Sequence, residues 1–277
     1  MIHSIYPCLW FDGNAKEAAE FYCSAFNNSK IIASNPIVSV AEICGKKFMC
    51  LNGGPMFKMN PSISAFVISP SLEETNKLWG KLMDGGKALM PIDAYPWSER
   101  YGWLQDKFGF TWQISFDSKT PKQKITLSML FTQKQFGKAE EAIKLYCSLF
   151  KNTSIENMIL YPKEDANAGK VMFSEFKLND QLMIAMDGPG DHKYTFDEGV
   201  SLAIECDTQQ EIDHYWNGFT KEGEESMCGW CKDKFGVSWQ VVPSMLGSLM
   251  SDPVKGPRVI QAFMKMKKFD IETLKNA

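Results

Sequence analysis

The chain has 277 residues, of which 44% are hydrophobic and 23% are charged, and its formal net charge is -3. This is the composition of a globular protein with enough apolar side chains for a core, so a disordered or fibrous chain is excluded. A nearly neutral protein gathers little polyanion, so nucleic acid is not an expected partner. No apolar run approaches the roughly 20 residues of a membrane helix, and no secretory signal is visible. With eight scattered cysteines of the buried, reduced type, we expect a cytoplasmic protein without a membrane span.

Hydrophobic periodicity and turn residues predict a strand–helix–strands unit that occurs twice in the first half. The first unit has a strand at residues 5–11, a helix at 15–26, and strands at 37–44 and 48–51. The second unit has a strand at residues 64–68, a helix at 71–84 that opens with a capping-box pattern, and strands at 103–106 and 111–116.

Two blocks of this half return later in the chain. Residues 15–26 return as residues 139–150 with seven of twelve positions identical, and residues 102–113 return as residues 229–240 with eight of twelve identical. Repeated blocks in the same order and at nearly the same spacing indicate a tandem duplication. We therefore predict an α+β chain of four units in two homologous domains, residues 1–118 and 124–248, joined by a polar seam that contains Pro121.

An unrepeated tail follows at residues 252–277. Its pattern from residue 257 to residue 274 is helical, with basic residues on one side. This helix could dock across the two domains or onto a second subunit, so a homodimer is one arrangement that the sequence leaves open.

Three segments, residues 9–22, 96–103 and 106–113, carry a resemblance to a known family, and the second half repeats parts of them at residues 137–146 and 229–240. The sequence resembles the PhnB-like family of the vicinal oxygen chelate superfamily, which often carries the label 3-demethylubiquinone-9 3-methyltransferase. The resemblance implies a glyoxalase/bleomycin resistance/dioxygenase-like fold. Each half would consist of two βαβββ modules that curl around a concave cleft.

Metal-dependent members of that superfamily hold a divalent ion with His, Gln or Glu on the first strands of two modules and on a last strand. In this sequence the corresponding positions fall near Pro7, near Ser64 and on Gln113, and in the second half near Leu127, near Ser201 and on Gln240. Proline and leucine side chains cannot ligate a metal, and serine is a poor ligand for such ions. We therefore expect no metal. The two glutamines either face the cleft or form hydrogen bonds within the protein.

The family label implies methyl transfer, which needs a sulfonium cofactor. No G-x-G-x-x-G element follows a strand, and the nearest match, residues 188–190, is typical of a loop. We therefore expect no cofactor. The C-x-x-C pair of Cys228 and Cys231 lies where the repeat predicts a strand, in which residues three apart point to opposite faces, so packing is favoured over redox chemistry.

The candidate ligand-binding residues are Trp97, Glu99, Arg100, Trp103, Gln113, Trp230 and Gln240. The first three join an aromatic group, an acid and a base on a predicted loop, and loops on rigid scaffolds often carry function. Trp97 and Arg100 have no counterpart in the second half, so the first half has more candidate residues for a ligand site. A surface turn with an Arg–Glu pair is the alternative interpretation, and no residue stands out as catalytic.

The leading hypothesis is a metal-independent PhnB-like protein that binds a small, partly apolar molecule in the clefts between modules. The competing hypothesis is an enzyme of the same superfamily. That enzyme would catalyse either the labelled methyl transfer or a metal-dependent lyase or dioxygenase-type reaction. A scaffold with filled clefts is the third reading of the sequence.

Overall fold

The computed structural model describes residues 3–277, which form four βαβββ modules and a helical tail. The first half contains β1 (Tyr6–Phe11), α1 (Ala15–Ala25), β2 (Ser29–Ser34), β3 (Val38–Ile43) and β4 (Lys46–Asn52), then β5 (Ile63–Ser69), α2 (Leu72–Met83), β6 (Lys87–Tyr95), β7 (Ser98–Gln105) and β8 (Thr111–Phe116). The second half contains β9 (Lys124–Phe131), α3 (Ala139–Leu149), β10 (Ser154–Leu160), β11 (Val171–Leu178) and β12 (Gln181–Asp187), then β13 (Val200–Cys206), α4 (Gln209–Thr220), β14 (Glu224–Glu225), β15 (Trp230–Lys232) and β16 (Ser238–Pro243). The tail contains α5 (Leu246–Met250), α6 (Gly256–Phe263) and α7 (Ile271–Lys275). The predicted α+β class and the four modules are confirmed.

Two eight-stranded sheets are built from these modules, and each sheet takes one module from each half. Sheet A runs β14-β15-β16-β13-β1-β4-β3-β2, and sheet B runs β10-β11-β12-β9-β5-β8-β7-β6. The halves join through antiparallel pairs of first strands, β1 with β13 and β5 with β9. The resemblance had implied a cleft within each half, whereas the strand pairing builds each sheet across the halves. A sequence repeat shows that modules are alike, but it does not show which of their edges pair.

The helices and the apolar core lie on one face of each sheet. Trp112 of β8 is fully buried in this core, where its ring packs against Tyr22 of α1 at 5.3 Å and stacks on Phe48 of β4 at 6.0 Å. In the second half, Trp239 of β16 packs in the same way against Tyr146 of α3 at 5.4 Å. The opposite face of each sheet is called the inner face here.

A buried carboxylate fixes the turn before the last strand of the second module. Asp106 is 4% exposed, and it accepts hydrogen bonds from the backbone N–H groups of Phe108 (2.8 Å) and Phe110 (3.1 Å) and from the Trp112 indole (2.8 Å). These bonds orient the start of β8. Because side chains alternate along a strand, the buried Trp112 places its neighbour Gln113 on the inner face.

Asp233 repeats this arrangement in the fourth module. It accepts from two backbone N–H groups and from the Trp239 indole (2.9 Å), and in addition from the Tyr146 hydroxyl at 2.7 Å. Burial raises the pKa of both Asp106 and Asp233 to about 6. The repeated D-K-F-G segment with its following W-Q pair is therefore structural, and it sets the position of a glutamine on each sheet.

Candidate functional site

Four uncharged polar side chains meet on the inner face of sheet B, where the two halves join. Ser64 of β5 and Ser128 of β9 are direct partners across the antiparallel strands. Gln113 donates from Nε2 to the Oγ atoms of Ser64 (2.9 Å) and Ser128 (3.4 Å). Its Oε1 accepts a hydrogen bond from the Tyr101 hydroxyl at 2.7 Å. These four residues, each no more than 5% exposed, are called the Gln113 site.

The Gln113 site is neutral and fully engaged in its own hydrogen bonds. Burial, with a smaller effect of the neighbouring Tyr95, raises the pKa of Tyr101 far above its usual range, so the hydroxyl stays protonated and donates. Both donors of the Gln113 amide are directed at serine oxygens. The site therefore offers a rigid polar floor rather than a nucleophile or a base.

Sheet A carries a simpler version, called the Gln240 site. Gln240, 6% exposed, donates from Nε2 to Ser201 Oγ at 2.8 Å, and Ser201 is the cross-strand partner of Cys8. Burial raises the pKa of the Cys8 thiol to about 11, although hydrogen bonds with Gln240 and Ser201 act in the opposite direction. The thiol is therefore protonated at neutral pH. The repeat places Cys228 where sheet B has Tyr101, so no tyrosine hydroxyl reaches Gln240 from that position.

Neither site has a donor set that suits a divalent ion. The strand register puts Cys8 and Ser128 on the inner faces, one residue beyond Pro7 and Leu127, which the alignment had indicated. A protonated thiol, serine hydroxyls and a glutamine amide are weak ligands beside the carboxylates and imidazoles that such ions prefer. Among residues 3–277, His, Cys, Asp and Glu form no group of three or more that could hold a metal ion.

The chain also lacks a loop shaped for a sulfonium cofactor at the place the sequence suggested. Residues 188–190 follow β12, but the next regular element in the described chain is the strand β13, not a helix. A glycine-rich phosphate or nucleotide loop needs the N-terminus of a helix directly after it. The residues present do not fit the group.

Aromatic rings form one end of the inner face of sheet B. Trp97, in the turn between β6 and β7, is 63% exposed, and its ring stacks on Tyr95 at 5.1 Å. It also meets the edge of Tyr101 at 5.7 Å. Phe66 of β5 lies 6.1 Å from Tyr101 and 6.5 Å from Phe173 of β11. The Gln113 site is thus bordered by four aromatic side chains. Tyr95, Phe66 and Phe173 lie on strands of the sheet, and Trp97 lies in the turn.

Trp103 adds an unused hydrogen-bond donor to this face. It is the direct cross-strand partner of Gln113 in the antiparallel pair of β7 and β8. Its indole Nε1 is buried, and no acceptor for it exists among the residues that the structure describes. An indole N–H that loses water without gaining a partner is costly, so an acceptor atom bound at this donor would stabilise the folded protein.

The structure separates the other candidates of the first half. The segment predicted as a loop at residues 96–100 is a tight turn, and β7 already begins at Ser98. The Arg100 Nε donates to Oδ1 of Asn76 on α2 at 2.8 Å, so Arg100 lies on the helix side and not on the inner face. Glu99 is exposed and lies two residues before Tyr101 on β7. Trp97 contacts Tyr101, and Trp103 is the cross-strand partner of Gln113, so Trp97, Trp103 and Gln113 lie around one site.

The inner face of sheet A is occupied by the protein's own side chains. Trp230, the cross-strand partner of Gln240, meets the edge of Trp10 at 5.9 Å, and the Trp10 indole donates to Gly54 O at 2.7 Å. Glu205 of β13 forms an ion pair with Lys47 and accepts from the Tyr6 hydroxyl at 3.0 Å. Trp230 and Gln240 therefore lie together, in a different sheet from the first-half candidates.

The C-terminal tail closes the edge of sheet A. The backbone N–H groups of Cys228 and Gly229 donate to the carbonyls of Met266 (2.7 Å) and Lys267 (2.8 Å). The predicted single helix from residue 257 to residue 274 is therefore wrong, because this extended pairing separates α6 from α7 and Asp270 caps the start of α7. Cys228 has a φ of 59° and precedes β15, whereas Cys231 is buried within it, and both thiols are free.

Comparisons with known proteins agree with this architecture. The family model described as 3-demethylubiquinone-9 3-methyltransferase matches the chain twice, at residues 3–115 and 123–242. A PhnB protein from Bacillus cereus that bears the same description is 32% identical, over 40% of this chain and 96% of that protein, with a TM-score of 0.38. No protein of curated function matches the chain.

Two longer structural matches show the fold. Glyoxalase I from Zea mays aligns over 87% of this chain and 93% of its own, with 11% identity and a TM-score of 0.59. A Bacillus subtilis protein described as a dioxygenase aligns over 86% of this chain and 84% of its own, with 9% identity and a TM-score of 0.52. Within residues 3–277, the helices are all too short or too polar to cross a membrane.

Proposed function

Because this chain belongs to the 3-demethylubiquinone-9 3-methyltransferase family of PhnB-like proteins and has the glyoxalase fold, we propose that it binds a small, planar, uncharged molecule at the Gln113 site without a metal. The observation that carries this proposal is the buried indole N–H of Trp103, which has no acceptor among residues 3–277. A carbonyl or ether oxygen of a ligand would supply that acceptor.

The surroundings of Trp103 support the choice of ligand. Phe66, Trp103 and Phe173 are half-buried on the inner face, so parts of their rings remain open to a ligand. Aromatic faces prefer flat apolar partners. The floor formed by Ser64, Gln113 and Ser128 carries no charge, so a neutral ligand loses little solvation free energy there. Aromatic ketones and small quinones combine these properties.

A thermal-shift screen with aromatic ketones, small quinones and aromatic carboxylates tests the proposal. A ligand that binds only the folded state raises the melting temperature. We expect neutral ketones or quinones to raise it and carboxylates to leave it unchanged. Elemental analysis of the same preparation is expected to find no stoichiometric divalent ion.

Two matched substitutions identify the site. Trp103→Phe removes the indole N–H and keeps an aromatic ring, and we expect it to weaken binding by about 5- to 10-fold, the effect of one hydrogen bond. Trp230→Phe makes the same change at the corresponding position of sheet A, and binding should not change. Equal losses in both variants, or none in Trp103→Phe, would contradict a ligand at the Gln113 site.

The family description raises methyl transfer to 3-demethylubiquinone as the alternative. Such a reaction needs a methyl donor and a base for the phenolic proton, and the Gln113 site contributes neutral groups only. We therefore expect S-adenosylmethionine to produce no thermal shift and no methylated product with 3-demethylubiquinone. A product that depends on Gln113 would establish the enzyme in place of the binding protein.

A further inference from the structure

A cavity of about 330 Å³ lies away from both glutamine sites, between two corresponding turns. One wall is the β3–β4 turn with Gly45 and Lys46, and the other is the β11–β12 turn with Asp180 and Gln181. Ser4, Gly45 and Asp180 are exposed, so the cavity opens to solvent at its rim. Its volume lies at the lower end of the range for small-molecule pockets.

Lys46 and Gln181 hold the same position in their modules, at the first residue of the strand after the turn. The Gln181 amide is saturated, because Oε1 accepts from Ile5 N at 3.0 Å and Nε2 donates to Ile5 O at 2.7 Å. Lys46 has no such role. Within the described residues 3–277, no ion pair and no side-chain hydrogen bond engages its ammonium group.

The charged neighbours of Lys46 are bound elsewhere. Lys47 also lines the cavity, but its ammonium group is paired with Glu205 of β13 and lies 4.1 Å from the centre of the Tyr6 ring. On the opposite turn, the Asp180 carboxylate accepts from Asn152 Nδ2 at 2.6 Å. Burial without a compensating charge lowers the pKa of Lys46 to about 8.

We propose that Lys46 is an amine nucleophile that forms an imine with small aldehydes entering this cavity. The neutral Nζ adds to the carbonyl carbon, forming a C–N bond while the carbonyl electron pair moves to oxygen. The nitrogen loses its protons and the oxygen leaves as water, so amine and aldehyde give imine and water with no oxidant or reductant. A cavity of this size admits an aldehyde of a few carbon atoms beside the lysine stem.

Reductive labelling with propanal and cyanoborohydride, followed by peptide mapping, measures the reactivity of each lysine. The reactive form is the neutral amine, and an ordinary lysine has a pKa of about 10.4. We expect the Lys46 peptide to be labelled at least about 10-fold faster than exposed lysines at pH 7.5. Its rate should reach half its maximum near pH 8, and the α-amino group is scored separately on its own peptide.

Two variants make the assignment specific. Lys46→Gln, which installs the residue found at the corresponding turn, should remove the fast label while the urea unfolding midpoint stays near that of the parent chain. Lys30→Gln removes an exposed lysine of the same module, paired with Glu42 at 3.5 Å, and should leave the fast label in place. A Lys46 rate equal to that of Lys30, or a half-maximal rate near pH 10.5 in the parent chain, would overturn the proposal.

Discussion

The inner faces of sheets A and B are built from corresponding modules, and both retain a buried glutamine bonded to a serine at the junction of the halves. On sheet B, a tyrosine hydroxyl completes the contacts of Gln113, and an exposed aromatic turn lies beside it. On sheet A, the position of that tyrosine is taken by Cys228, whose backbone is held by the tail.

Features that occur on both sheets can be assigned to the duplicated fold, and features that occur on sheet B alone are additions to it. The buried aspartates and the glutamine–serine pairs occur on both sides, so they serve the architecture. The unsatisfied Trp103 indole and the exposed ring of Trp97 occur on sheet B alone among these corresponding positions. An ion pair of Lys47 with Glu205 occupies the inner face of sheet A instead. This difference is why the ligand is proposed at sheet B and not at sheet A.

The largest expected effect concerns the shared aspartates. Asp233→Ala leaves two backbone N–H groups, the Trp239 indole and the Tyr146 hydroxyl without their buried acceptor. We expect the free energy of unfolding to fall by about 3–5 kcal/mol. Asp106→Ala removes three such bonds and should cost about 1 kcal/mol less. Urea unfolding measures both, and a loss under about 1 kcal/mol at Asp233 would show that the motif is not structural.

A smaller effect is expected where the tail meets sheet A. A Cβ at Gly229 would lie 2.4 Å from Phe269 Cε2 and 2.8 Å from Val241 O, at a φ of +79°. Gly229→Ala should therefore lower the free energy of unfolding by about 2–3 kcal/mol and weaken the contact of the tail. Gly247→Ala is the control, since nothing lies within 4 Å of its Cβ position, and it should leave stability within about 0.5 kcal/mol. Limited proteolysis measures the detachment of the tail, since faster cleavage in the segment that follows residue 264 shows that this segment has left the edge of sheet A.

Removing the tyrosine hydroxyl tests the feature that sheet A lacks. Tyr101→Phe leaves Gln113 Oε1 without its donor at a buried position, and we expect a loss of about 1–2 kcal/mol in unfolding free energy. Tyr95→Phe removes a hydroxyl that donates to Pro91 O at an exposed position, so it should change stability little. If the two variants unfold at the same urea concentration, the Tyr101 hydroxyl contributes nothing particular to the Gln113 site.

The smallest change in stability is expected at Trp97. Its side chain is 63% exposed, so Trp97→Ala should alter the unfolding free energy by no more than about 0.5 kcal/mol. Because its ring borders the inner face of sheet B, binding of a neutral aromatic ligand should weaken about 3-fold or more, the effect expected of one lost aromatic contact. Titration calorimetry decides between this result and unchanged affinity, which would place the ligand away from the turn.

The sequence predicted the modules well where burial was extensive. The helix at residues 15–26 was predictable because one face packs into the core, and the strand at residues 111–116 was predictable because nearly all of its residues are buried. β2 was missed because it is an edge strand whose residues are mostly exposed, which leaves no apolar alternation to detect. The start of β7 was assigned to a loop because Ser98, Glu99 and Arg100 carry no buried apolar side chain.

The sites were predictable only in part. Gln113 and Gln240 stood out because the repeat brings them to equal positions. Ser128 escaped notice, since its contact with Gln113 depends on strand pairing between the halves, which a linear repeat cannot show. One signal was present in the sequence. When the two repeated blocks are aligned, Tyr101 corresponds to Cys228, and this mismatch marks the place where the two copies diverge.

Ligand binding by sheet B and not by sheet A can be observed directly through the indole N–H signals of the eight tryptophans in a proton–nitrogen NMR spectrum. Assignments come from the Trp103→Phe and Trp230→Phe variants. On titration with a neutral aromatic ketone or quinone that raises the melting temperature, we expect the Trp103 signal to shift and the Trp230 signal to stay unchanged. A shift of Trp230 while Trp103 stays in place would contradict this expectation.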